Sequence, residues 1–156
     1  MKPLIPAAAL LAALAAPAAD PPGFTLWTSG ELKGMDRALA PKINAQKVAA
    51  QPLGNDNYGR HNMVMVYREG DGEAELHDNF TDVFVVQSGG GTLVVGGRVA
   101  GGKPTGPGEV RGTSIEGGTR RKLAPGDVAN IPPGTPHQVL VPPGGKITYL
   151  IVKVQK

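Results

Sequence analysis

The sequence predicts an all-β domain of short antiparallel strands, preceded by one short helix. Three features predict it. Glycine (23) and proline (15) punctuate the 156-residue chain closely, the apolar runs between them are short and β-branched, and helix-starting signals are nearly absent. Strands of this kind fold as a sandwich or barrel, because each has an apolar face that only another layer can bury.

Taken in order, residues 1–20, "MKPLIPAAALLAALAAPAAD", read as a secretory signal peptide: one basic residue, an apolar Ala/Leu run and small residues at the end. The apolar run is too short to span a membrane, and Pro3, Pro6 and Pro17 oppose a long buried helix. Cleavage is expected after Ala18, so residues 1–18 are excluded from the fold and the mature chain is expected to be periplasmic or secreted. Residues 19–42 form an extension with one helix, started by a Thr28/Glu31 capping box and stopped at Pro41. The β domain then occupies residues 43–156.

Within it, strands are expected at residues 43–51, 61–67, 73–77, 82–87, 92–97, 120–123, 127–131, 137–141 and 146–154. Asp71-Gly72, Gly89 to Gly91 and Pro142 to Gly145 are expected to close hairpins. Residues 96–118 are Gly-rich and poorly periodic. They read either as a loose surface hairpin or as a lid carrying Glu109 or Arg111 toward a pocket.

Composition excludes several partners. There is no cysteine, hence no disulfide framework and no thiolate ligand. Net charge is +3, the basic residues are scattered, and few aromatics are available to stack on bases. Nucleic acid and, after cleavage of the leader, membrane are therefore not expected as partners.

Only three histidines occur, at 61, 77 and 137. Alternation along a strand puts Glu73, Glu75 and His77 on one face, and Asp82 opens the next strand. His61 shares parity with Met63, Met65 and Tyr67, so it either faces the interior or caps a strand at the surface. Met63 and Met65 read as pocket lining or core rather than copper-binding thioethers. Phe84, Val86 and Val139 read as the dry wall of a pocket.

Downstream, "PGDVANIPPGTPHQVLV" places Gly126, Pro132, Gly134 and His137 at fixed spacing. This resembles the second motif of the cupin superfamily at every position but the last, where Val141 replaces the usual Asn. The first cupin motif is similar to residues 75–89 in a degenerate form: Glu75 stands at the first His position, His77 at the second, Asp82 at the Glu position and Gly89 at the Gly. The resemblance implies an antiparallel jelly-roll barrel with one divalent metal ion inside, held by Glu75, His77, Asp82 and His137. Such a donor set suits zinc, manganese, iron or nickel and leaves coordination positions open. The resemblance further implies a small-molecule ligand or substrate. Two readings stay open: a metal-dependent enzyme of oxygenase, lyase or isomerase type acting on an oxygenated small molecule, or a non-catalytic small-molecule or carbohydrate binder, with or without metal. Tyr67 and Glu73 are the residues that offer themselves as a general base. A homodimer is expected, to cover open strand edges.

Overall fold

The computed structural model describes residues 20–54 and 58–156; the expected leader, residues 1–18, lies outside them. Helix α1 spans Ser29–Leu39. It starts where the sequence places it: the Thr28 hydroxyl accepts from the Glu31 amide, and the Glu31 carboxylate accepts from the Thr28 amide at 2.7 Å. A short 3-10 turn over Ala40–Lys42 ends it at Pro41.

Among the described residues thirteen strands follow. They are β1 (Val48–Pro52), β2 (His61–Arg68), β3 (Ala74–His77), β4 (Phe80–Gly89), β5 (Gly91–Val95), β6 (Arg98–Ala100) and β7 (Lys103–Gly106). Then come β8 (Glu109–Gly112), β9 (Ser114–Glu116), β10 (Thr119–Leu123), β11 (Val128–Ile131), β12 (His137–Leu140) and β13 (Ile147–Gln155). β1 starts later than expected because the Asn44 side chain accepts from the Gln46 and Val48 amides, folding the preceding residues into a turn that puts Lys47 at φ 55°.

The strands form a five-stranded sheet, β1-β2-β13-β4-β11, a six-stranded sheet, β10-β5-β12-β3-β8-β7, and a separate β6-β9 pair. Val66, Phe84 and Tyr149 from the first sheet pack with Leu93, Leu123 and Val139 from the second in one core, so the two sheets lie face to face. Hydrogen bonding does not close them into a ring; the interior is enclosed by side-chain packing between layers.

Three expectations are corrected. The turns at Asp71-Gly72, Gly89 to Gly91 and Pro142 to Gly145 do not close hairpins: β2 and β3, β4 and β5, and β12 and β13 belong to different sheets. Each turn carries the chain across the sandwich, and Asp71 anchors its corner by accepting from the Val141 amide at 2.8 Å.

Residues 96–118 are neither a loose hairpin nor a lid. They supply β6 to β9, and β8 pairs with β3 along its whole length, so Glu109 and Arg111 stand in the wall of the sandwich.

Met63, Met65 and Tyr67 do not line the interior cavity. They lie on the outer face of β2, where Met65 and Tyr67 are buried with Leu39 and Leu53 beneath α1, and Met63 packs against that cluster. Both faces of β2 are covered, so both parities are apolar, and alternation alone does not tell inside from outside.

Candidate metal centre

β3 and β12 are antiparallel neighbours with His137 opposite Glu75. Directly opposed residues share a face, so Glu75, His77 and His137 project together from the six-stranded sheet. Asp82 reaches the same point from β4 in the facing sheet. Its partner across β4 and β13 is Lys153. His77, Asp82 and His137 are 1–3% exposed, and the Glu75 side chain is 25% exposed.

One ligand-type atom from each of Glu75, His77, Asp82 and His137 lies within 4.8 Å of all the others. His77 Nε2 is 3.3 Å from Glu75 and 3.5 Å from Asp82; His137 Nε2 is 3.9 Å and 3.6 Å from the same two groups. Both rings are held from behind. His77 Nδ1 bonds Glu109 at 2.5 Å, and His137 Nδ1 bonds the Thr135 carbonyl at 3.0 Å. With each Nδ1–H so engaged, both Nε2 atoms turn toward the carboxylates. Among the described residues His137 Nε2, which is buried, has no hydrogen-bond partner. The Phe84 ring stands edge-on to His137, with ring centres 6.0 Å apart.

Around the four stand residues that the sequence reading passed over or placed elsewhere. Lys153 donates to Asp82 Oδ1 and Oδ2 at 2.8 and 3.0 Å and lies 3.0 Å from His77 Nε2. Arg111 lies 3.5 Å from both Glu75 and Glu109. A lysine within the apolar run "ITYLIVKV", at the parity of Tyr149 and Ile151, was the available signal for Lys153. For Glu109 and Arg111 the signal was their place in the Gly-rich segment expected to carry them toward a pocket; they reach the site from β8 in the wall rather than from a lid.

Three carboxylates thus face Arg111, Lys153 and His77, and the electrostatics follow. Burial opposes the charged form of His77, but hydrogen bonds to Asp82 and Glu75 outweigh it, and the imidazole is pushed up to about 9. Burial likewise opposes ionisation of Asp82, yet the His137 and His77 rings and the Lys153 ammonium beside it hold its carboxyl far below the usual range. Glu75 is also lowered: burial is outweighed by the hydrogen bond to His77 and the nearby charge of Arg111. Lys153 can donate to His77 Nε2 only when that ring is neutral. The protonated ring directs Nε2–H at the carboxylates instead.

A cavity of about 140 Å³ opens beside the cluster, lined by Glu75, His137, Phe84 and Val139 and, from the other wall, by Arg68 and Tyr149. Val86 is buried in the core next to it. Glu73 lines the cavity from an exposed position. Tyr67 lies elsewhere: its hydroxyl donates to Glu69 at 2.5 Å, and burial with that bond pushes the phenol up to about 12. His61 is exposed and stacks on Tyr58, ring centres 5.2 Å apart. Val141, at the departure from the cupin motif, is a buried core residue.

No family model and no curated protein matches the chain. Solved structures do. A cupin 2 conserved barrel domain protein from Rhodopseudomonas palustris is 23% identical over 70% of this chain and 61% of its own, with a TM-score of 0.51. The polyketide cyclase RemF from Streptomyces resistomycificus is 18% identical over 70% of this chain and 66% of its own, also at 0.51. A recombinant oxalate oxidase in complex with glycolate is 14% identical over 72% of this chain and 53% of its own, again at 0.51. The chain therefore spans less than two thirds of the length of each of these structures.

Proposed function

We propose, for a chain whose fold is that of the cupins, that Glu75, His77, Asp82 and His137 hold one divalent ion inside the barrel, and that the protein is a small metal-dependent enzyme acting on an oxygenated small molecule. The observation that carries this reading is His137 Nε2, a buried nitrogen without a hydrogen-bond partner among the described residues, aimed at carboxylate oxygens. A lone pair facing anionic acceptors in a dry interior is unfavourable unless a cation stands between them. Two imidazoles and two carboxylates fit zinc, manganese, iron or nickel.

A bound ion would supply Lewis acidity toward a ligand oxygen, and oxygen chemistry only if it is redox-active. The chain's own residues do the rest. Glu109 and the Thr135 carbonyl orient the two rings, Arg111 offsets the charge of Glu75, and the Phe84/Val139 wall keeps bulk water from the chamber. The cyclase and oxidase that share the fold are named for small-molecule chemistry, the class proposed here. Export and a homodimer belong to the same reading. They rest on the leader-like N-terminus and on the open sheet edges at β1, β7, β10 and β11, and N-terminal sequencing of native protein and sizing in solution check them.

The test is elemental analysis of reconstituted protein. About one ion per chain is expected, as one four-ligand site requires, and the His77→Ala/His137→Ala double variant is expected to lose it. Near-zero content in the wild type, or unchanged content in the variant, would overturn the reading. A specific observation favours a second reading, a metal-free binding protein: the Lys153 ammonium already sits on Asp82 and can serve as a built-in cation.

A further inference from the structure

Arg68 ends β2 on the parity of Val66, facing the interior. Its Nε donates to the hydroxyl of buried Tyr149 at 3.0 Å. Its guanidinium rests against Gly72, where a Cβ would come within 3.0 Å of Cζ and 3.2 Å of each Nη. Gly72 is itself pinned to β12: its amide donates to the Val139 carbonyl at 2.7 Å, and its carbonyl accepts from Gln138 Nε2 at 2.7 Å. The fork is therefore clamped at Nε and supported on one face.

Its two Nη groups are left over. Among the described residues no carboxylate lies within ion-pairing distance of Arg68, and neither Nη donates a hydrogen bond. Glu73, which lines the same cavity, makes no ion pair with it. By contrast Arg111, a few ångströms from Glu75 and Glu109, is paired. Arg68 also borders two spaces at once: the inner cavity that holds Glu75 and His137, and an outer cleft of about 900 Å³ whose walls include Lys103 and Arg111.

A half-buried guanidinium, fixed in direction and without a counter-ion, is built for a planar anion that can take both free Nη donors. Val66, Phe84, Val139 and Ile151 give the chamber an apolar middle, between Arg68 and the polar end formed by Glu75 and His137, with Glu73 and Gln138 also in its walls. We infer that the chamber takes a small monocarboxylic acid with an apolar body, its carboxylate on the Nη groups of Arg68 and its other end toward Glu75 and His137. This deepens the small-molecule reading above and rests on it.

The experiment compares benzoate with benzamide and butanoate with butanamide, titrated by NMR into the full chain, both metal-reconstituted and chelator-treated. In the wild type each acid is expected to bind about tenfold or more tighter than its amide in both forms, because a charge-assisted fork does not depend on the ion. Arg68→Gln is expected to erase that preference while leaving metal content unchanged. Tyr149→Phe, which removes the brace but keeps the guanidinium, is expected to retain it. Absence of the preference in chelator-treated wild type, no binding of either acid, or its persistence in Arg68→Gln overturns the inference. Failure of the metal reading registers separately, as absence of the ion in elemental analysis.

Discussion

At the scale of single residues, the contested position is the one between Asp82 and His77, where an ammonium group and a divalent ion would compete for the same lone pairs. Lys153 Nζ contacts both groups within 3.0 Å. If the ion binds, the lysine must swing out along its flexible stem, and its charge opposes binding as long as it stays near. Lys153→Met is therefore expected to bind zinc about tenfold or more tighter than the wild type, measured by competition with a chelating dye. Without metal, the same variant removes the ammonium that donates to both oxygens of buried Asp82 and is expected to lose about 2–4 kcal/mol in urea unfolding. Stability lost and not restored by any of the four ions would instead favour the metal-free reading.

At the scale of elements, the site depends on an irregularity in the pairing of β4 with β13. Thr148 pairs with Ser88 but Tyr149 pairs with Val86, so Gln87 is the extra residue of a bulge. Without that shift Lys153 would oppose Val83, and Asp82 would lose its partner across the sheet. Gly89 closes the segment at φ 70°, where a Cβ would come 2.1 Å from the Lys146 carbonyl oxygen. Gly89→Ala combines left-handed strain with a backbone clash and is expected to cost roughly 2–4 kcal/mol of stability, read from urea unfolding. An unchanged midpoint would show that the β4–β13 corner does not depend on this glycine.

At the scale of the whole molecule, the buried charges couple folding to pH. His77 is raised from its ordinary 6.5 to about 9, so its stabilisation is complete below 6.5 and is lost as pH rises through about 9. Asp82 and Glu75 are lowered, so theirs is present above their ordinary values of 3.8 and 4.5 and is lost as pH falls below them. The metal-free protein is therefore expected to be most stable between 4.5 and 6.5, with unfolding midpoints in urea falling on both sides. Ion binding must expel the His77 proton, so zinc affinity is expected to rise with pH toward about 9 and calorimetry in buffers of different ionisation enthalpy to register proton release. A flat profile would place His77 outside the coupled cluster.

The sequence by itself determined the β class, the capped helix and the convergence of Glu75, His77, Asp82 and His137. These depend on local chemistry and on a motif of fixed spacing: a capping box closes within one turn, and strand alternation puts Glu75 and His77 on one face. Tertiary structure alone decided what depends on partners distant in sequence. Turn residues mark where the chain reverses but not which sheet it enters, so three expected hairpins became crossings of the sandwich. The apolar residues of β2 were legible as buried, yet which face met the helix and which met the cavity depended on a layer their own sequence does not encode. Lys153, Glu109, Arg111 and Arg68 reach the site only through the pairing of β13 with β4, β8 with β3 and β2 with β13. Charge in a short strand shows that a residue seeks water or a partner, and only the packed sheets say which.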